Sequence, residues 1–275
     1  MLMNSIKMQL RVILERKVAT TMFIILLAIM LVNYFNNVFT YQGTDIVDMY
    51  HPMKLVTLTY YSENSFYLMQ YYPLIVVIPA AFSLYADKVS KQIILIQSRV
   101  GARNYYLGKL IVVFLVTSFV FAAPFLIEIV LNMIAFPTSA IGDPSNIDEY
   151  QFLSTIKQYF LADFYIFSPF LYTVFYTLVF GVFSGILAMF TVAISTFPIK
   201  FKVLLFLPVF IVLNLFAYLK DFFPKIETNH FFYLTLFNPH YNPNGSVLVL
   251  SSLVFIILTV TLVIFSYRIR EDLLL

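Results

Sequence analysis

Polar and apolar positions along this chain segregate into long blocks rather than alternating. Six runs are apolar almost throughout, at about residues 18–39, 69–86, 110–136, 167–196, 203–219 and 247–267. Each is long enough, at roughly 17 residues or more, to cross a hydrocarbon layer as a helix whose backbone groups bond within the segment. The second run contains Pro73 and Pro79, read as a kink in one continuous helix because membrane neighbours re-satisfy freed carbonyls. The fourth is long enough to tilt. Ahead of the first run, Leu2, Met3, Ile6, Leu10, Ile13 and Leu14 recur at helical spacing, with Lys7, Gln9, Arg11, Glu15 and Arg16 between them. That pattern predicts an amphipathic helix lying in the membrane interface. No small-x-small cleavage site follows, since the first run ends in NYFNNVFT, so this segment is expected to be retained.

Composition points the same way. The chain of 275 residues is 61% hydrophobic and 11% charged, with a mean hydropathy of +0.88. A soluble domain carries about 25% charged residues to cover its water-facing surface. The sequence therefore reads as an integral membrane protein. Cysteine is absent, which excludes disulfides, thiolate metal sites and cysteine nucleophiles. Trp is absent too, leaving 20 Tyr and the cations to anchor the interfaces.

Charge sidedness sets an orientation. Lys7, Arg11, Arg16, Lys17, Lys88, Lys91, Arg99, Arg103, Lys109, Lys200, Lys202, Arg268 and Arg270 fall on one set of segments; only Lys54, Lys157, Lys220 and Lys225 fall on the other, together with nine of the 14 acids. The expectation is an all-α polytopic protein with six spans and cytosolic N- and C-termini. Residues 41–68, 137–165 and 220–246 then form outer loops, with Tyr150–Phe164 lying along the outer interface. The loops are too short to fold alone, which leaves one transmembrane domain over 1–275 and no soluble domain.

Few groups suggest chemistry. His51, His230 and His240 lie in loops without a second His at ligand spacing, so solvated loop histidines are favoured over a metal site. GVFSG (Gly181–Gly185) is similar to the serine motif of intramembrane proteases, but its spacing differs by one residue and no span carries a His base. Close helix packing through small residues explains it better. No GxxxxGK[ST] phosphate loop occurs, so ATP-driven work in the P-loop manner requires a partner. Glu128 is the one ionisable residue inside a span. It could line a substrate or proton path. About 18 residues of helical rise beyond Lys109 place it near the outer boundary, and the reading favoured here is that it reaches the interface.

The most cationic interruption between strongly apolar runs is Asp87–Lys109, DKVSKQIILIQSRVGARNYYLGK. It carries five cations, one acid and the apolar knot Ile93–Ile96. This block resembles the cytosolic segment between the second and third spans of type-2 ABC exporter permeases. The shared features are Asp87, a helix over Val89–Gln97, the pair Ser98-Arg99, then Arg103, Tyr105-Tyr106 and Gly108-Lys109 opening the third span. Family members commonly carry Gly four residues after the acid, where this chain has Lys91. The resemblance is specific over about twenty residues and topological elsewhere.

It implies a permease that pairs with a separate ATP-binding subunit, works as a homo- or heterodimer, and leaves ATP and Mg to that partner; the absence of cysteine and the Lys, Ile, Phe and Asn usage suit a bacterial inner membrane. This chain would hold no cofactor, perform no hydrolysis and bind no nucleic acid. Its coupling helix would seat in the ATPase through Asp87, Lys91, Ile93, Ile94, Ile96, Arg99 and Arg103, with the isoleucines as anchor and the cations as rim. An ordinary positive-inside loop held by anionic lipid explains the charge but not the apolar knot. Residues 220–246 are expected to fold back and cap a translocation path, with Phe231, Phe232 and Tyr233, together with Glu128, along it. The cargo expected is amphipathic or hydrophobic, such as a peptide. A sensory, immunity or scaffold membrane protein is the alternative, and a proton-coupled carrier the second alternative.

Overall fold

A computed structural model describes residues 2–140, 160–222, 228–237 and 245–272, and all regular structure among them is helical. Helix α1 (Leu2–Glu15) leads into α2 (Val18–Thr40) through Lys17 at φ 57°. Two 3₁₀ turns, Ile46–Asp48 and Pro52–Leu55, precede α3 (Glu63–Ile75). Then come α4 (Ser83–Val89), α5 (Gln92–Val100) and α6 (Ala102–Ala135). After α7 (Ala162–Phe167) follow α8 (Pro169–Ile194), a 3₁₀ turn at Lys202–Leu205, α9 (Leu207–Phe222), α10 (His230–Tyr233) and α11 (Gly245–Asp272). Most of the Tyr150–Phe164 stretch and parts of 220–246, including His240, lie outside the described residues.

Among the described residues, five helical segments are long and apolar enough to cross a membrane: Val18–Thr40, Ala102–Ala135, Pro169–Ile194, Lys202–Leu219 and Val247–Ile264. In lipid the apolar effect between helices is weak, so close backbone approach must hold the bundle. The α6–α8 crossing supplies it. A Cβ on Gly185 would lie 2.3 Å from Ser118 Oγ and 2.8 Å from the Phe114 carbonyl oxygen; one on Gly181 would lie 2.8 Å from Ala122 Cβ. The GVFSG motif is thus a packing surface. Tyr72 from α3 enters the same core, its hydroxyl 2.9 Å from Ser184 Oγ and its ring edge-on to Phe121.

The run at 69–86 departs from the expected continuous helix. Helix α3 stops at Ile75, residues 76–82 form successive turns, and α4 starts at Ser83. Proline removes an N–H and crowds the carbonyl four residues back. Pro73 does this to Met69, whose carbonyl oxygen instead meets His230 Nε2 at 3.3 Å. Pro79 does it to Ile75, whose carbonyl accepts a tight-turn bond from Ile78 N at 3.1 Å. One proline is absorbed by an outside partner and the second ends the helix.

The expected helix over Val89–Gln97 is also shifted. The chain breaks at Ser90 and Lys91, with Lys91 at φ 55°, and α5 runs from Gln92 to Val100. A left-handed residue between two helices suits Gly; here Lys91 takes that conformation. Gly101 at φ 82° makes the second corner, and α6 begins at Ala102, eight residues before the apolar run does.

Candidate functional site

Three features at the two ends of the bundle concentrate its polar chemistry. The first is a charge cluster under α5. Asp87 Oδ1 accepts from Arg16 Nη2 at 2.7 Å, and Oδ2 accepts from Lys109 Nζ at 2.7 Å and the Tyr105 hydroxyl at 2.6 Å. Asp87 and Lys109 are each only 1% exposed. A buried carboxylate is tolerable when its lone pairs are filled by cations and donors, as here. Arg16 Nη1 also donates to the Ser83 carbonyl. The cluster therefore pins the α1–α2 corner, α4 and the start of α6 together. Lys88, on the neighbouring turn, donates to the carbonyls of Ser195, Thr196 and Phe197, satisfying the end of α8 where acceptors and negative dipole collect. Asp87 is thus a buried brace, not a surface group.

The second feature is α5 itself. Ile93 is 8% exposed and belongs to the core, and Ile96 packs against that core. Ile94, Leu95 and Val89 point outward, at 68%, 65% and 66% exposed. Lys91, Arg99 and Arg103 are exposed around them. The apolar knot is therefore split: two isoleucines fasten α5 to the bundle, and Ile94 with Leu95 forms an unburied ridge beside three cations.

The third feature is a cap at the opposite end. Residues 52–59 are all buried, although their backbone is not α-helical. Such a backbone at membrane depth needs partners from protein. Glu128 supplies them, accepting from Thr57 N at 3.0 and 2.9 Å, Thr57 Oγ1 at 2.8 Å and Asn33 Nδ2 at 2.8 Å. Asn33 Nδ2 also donates to the Leu55 carbonyl, and Ser62 Oγ donates to Asn33 Oδ1. Tyr60 N donates to the Leu236 carbonyl at 2.8 Å and Leu236 N to the Leu58 carbonyl at 2.9 Å, so residues 58–60 pair with the segment after α10. The Tyr176 hydroxyl donates to the Tyr233 carbonyl. Glu128 does sit near this end of α6, but it is 0% exposed and does not reach an interface. Its main partner is the Thr57 backbone, 71 residues away in sequence and without a pattern that marks it.

Phe231 and Phe232 line a 370 Å³ cavity with Phe66, Gln70, Phe210 and Asn214, and Tyr233 is buried behind it. His230 borders the cavity too. Burial lowers its pKa to about 4, against a smaller opposing effect of the Met69 carbonyl. Burial, and then Lys54, lower His51 to about 4 as well. Both rings are neutral at ordinary pH, and His51 Nδ1 accepts from Met53 N at the start of a 3₁₀ turn. Among the described residues no three His, Asp or Glu side chains gather as a metal site would require.

The arrangement defines a multi-pass helical membrane protein, clamped at one end by Asp87 and at the other by Glu128. Comparison of the chain with family models, with curated proteins and with solved structures gives no match.

Proposed function

We propose that this chain is the membrane subunit of an ATP-binding-cassette exporter of the type-2 kind, assembled as a homo- or heterodimer on separate ATPase subunits that hold ATP and Mg. The observation that carries the proposal is α5. It is a two-turn helix set off by left-handed corners at Lys91 and Gly101, fastened by Ile93 and Ile96, with an apolar ridge turned away from the protein. An apolar ridge ringed by cations is the form of a protein-docking patch, with a buried anchor and a charged rim. Val89, Ile94 and Leu95 are the anchor in this reading, and Lys91, Arg99 and Arg103 the rim.

The charge cluster gives α5 a route into the bundle. Motion of α5 pulls on α4 and α6, and Asp87 passes it to the corner between α1 and α2. The interrupted segment 63–89 serves as a sixth crossing. Ser62 is tied to Asn33 and hence to Glu128, while Asp87 is tied to Lys109. Those two points on α6 are 19 residues apart, about 28 Å of helical rise and close to the ~30 Å hydrocarbon thickness. With that crossing, both termini and α5 lie in the cytosol and the Glu128 cap faces outward, in a bacterial inner membrane. The cap is the outer gate, and the aromatic cavity beside α10 receives an amphipathic or hydrophobic cargo.

The test is reconstitution. The chain is co-expressed with a candidate P-loop ATPase from the same genome, purified, and placed in vesicles. Retained association and vesicle-dependent stimulation of ATP hydrolysis are expected. An ATPase that neither co-purifies nor changes its rate in the presence of the chain overturns the proposal.

A further inference from the structure

Helix α1 packs against α6 through its small polar side. Ser5 and Gln9 are buried, Gln9 Nε2 donates to the Tyr105 carbonyl at 2.9 Å, and a Cβ on Gly108 would lie 2.8 Å from Ser5 Oγ. This leaves apolar side chains of α1 on the outside, where they form one wall of a groove of about 630 Å³ shared with α2 and α6. Leu10 and Leu14 of α1, Ala19 and Phe23 of α2, and Leu115 and Phe119 of α6 line it. Phe23 and Phe119 stack 6.0 Å apart one turn further from Lys17, with Phe119 64% exposed. Two of the walls belong to membrane-crossing helices.

Cations neighbour the groove's α1 wall in sequence. Lys7, Leu10, Arg11 and Leu14 follow the i, i+3, i+4, i+7 spacing of one helix face. Lys7, Arg11 and Lys17 are all exposed, and the sole acid of α1, Glu15, is paired with Arg11 at 2.7 Å. An apolar slot opening beside a row of cations at a membrane boundary matches an anionic lipid: chain in the slot, phosphate at the row. A second copy of the chain fits less well, because a two-fold contact through this face would bring the cations towards their own copies.

We propose that this groove is a binding site for an anionic phospholipid, holding one acyl chain between α1, α2 and α6 with the headgroup against Lys7, Arg11 and Lys17. The site depends on the chain being a membrane protein and not on the exporter reading.

The chain has no Trp, so Phe119→Trp places a unique fluorophore in the groove wall and Ile257→Trp places one on the exposed side of α11. Each purified variant is reconstituted in phosphatidylcholine containing a minor fraction of phosphatidylglycerol brominated on its acyl chains. Quenching at position 119 is expected to exceed that at 257, and the order to reverse when the bromine is moved to phosphatidylcholine. Adding Lys7→Gln with Arg11→Gln is expected to weaken the phosphatidylglycerol preference roughly tenfold or more, from a few-fold per cation. Thr20 also lines the groove and is exposed, and Thr20→Phe, which fills the slot, is expected to abolish the preference without changing the melting temperature. Equal quenching at 119 and 257 means ordinary surrounding lipid and overturns the proposal. Quenching by neither lipid at 119 means that protein covers the groove and overturns it equally. A preference that survives the double glutamine variant removes the headgroup contact. Leu115→Trp serves as the reporter if Phe119→Trp does not fold.

Discussion

The residue on which most elements converge is Asp87. It holds two cations and a phenol while almost wholly buried, so its removal costs more than the contacts it makes. Asp87→Asn leaves Lys109 charged, unpaired and without access to water, a situation worth about 3–5 kcal/mol. The purified variant is expected to melt well below the wild type. Asp87→Asn combined with Lys109→Met removes both buried charges and is expected to recover most of the loss, while Arg16 reaches solvent. An unshifted melting temperature for the single variant would show that the cluster does not brace the fold. His230 carries a second prediction at this scale. Its folded pKa of about 4 lies below the ordinary 6.5, so between those values the unfolded chain binds a proton that the folded chain refuses. Stability therefore rises with pH from about 4 to 6.5 and falls on acidification across that window, by up to roughly 3 kcal/mol for this one group. His230→Gln keeps a donor for the Met69 carbonyl and does not titrate. Melting temperatures followed against pH are expected to fall less steeply below 6.5 for the glutamine variant, and parallel curves would rule the group out.

Elements show where sequence and structure part. The five long helices are legible because an unbroken apolar run in lipid has only one way to satisfy its backbone. Close packing by α8 is legible too, in the small residues Gly181, Ser184 and Gly185, though not that its partner is α6. Gly185→Ala puts a methyl within 2.8 Å of a carbonyl oxygen on α6 that cannot move aside, and overpacking of this kind costs about 1–3 kcal/mol. Gly108→Ala meets Ser5 Oγ and Gln9 Nε2, ends of side chains that can turn, and Ser5 Cβ at 3.3 Å, but no backbone atom among its nearest neighbours, and is expected to lower the melting temperature less. What sequence does not separate is the two faces of α5. Four consecutive apolar residues carry no period, so Ile93 and Ile94 look equivalent until the left-handed turn at Lys91 fixes the phase. Under the docking proposal Ile94→Asp with Leu95→Asp leaves the melting temperature near wild type and weakens ATPase binding at least about thirtyfold, the loss of a central anchor worth 2 kcal/mol or more. Ile93→Asp is expected to do the opposite first, by lowering stability. If the outward pair is harmless to association, α5 is not the docking element.

For the molecule as a whole the open term is the path from Ile75 to Ser83. A hydropathy reading counts this stretch as a span; its prolines break the helix, and length criteria then leave five crossings. The two counts differ in which side α5 and the loop before α3 occupy. The proposed count of six rests on the same segment being fastened near Glu128 at Ser62 and near Lys109 at Asp87, two levels of α6 separated by about a bilayer core. Turns at mid-depth are tolerable there because the stretch is enclosed: Val76, Val77, Ala80 and Ala81 are all buried. The absence of cysteine makes the distinction direct. Thr44→Cys, exposed between α2 and α3, and Ser98→Cys, exposed on α5, each create a single thiol. In intact cells a membrane-impermeant maleimide is expected to label position 44 and to reach position 98 only after the membrane is opened. Labelling of both from outside would overturn the proposed sixth crossing and deprive α5 of any cytosolic ATPase to meet; labelling of neither would place the loop before α3 in the cytosol and overturn the crossing equally.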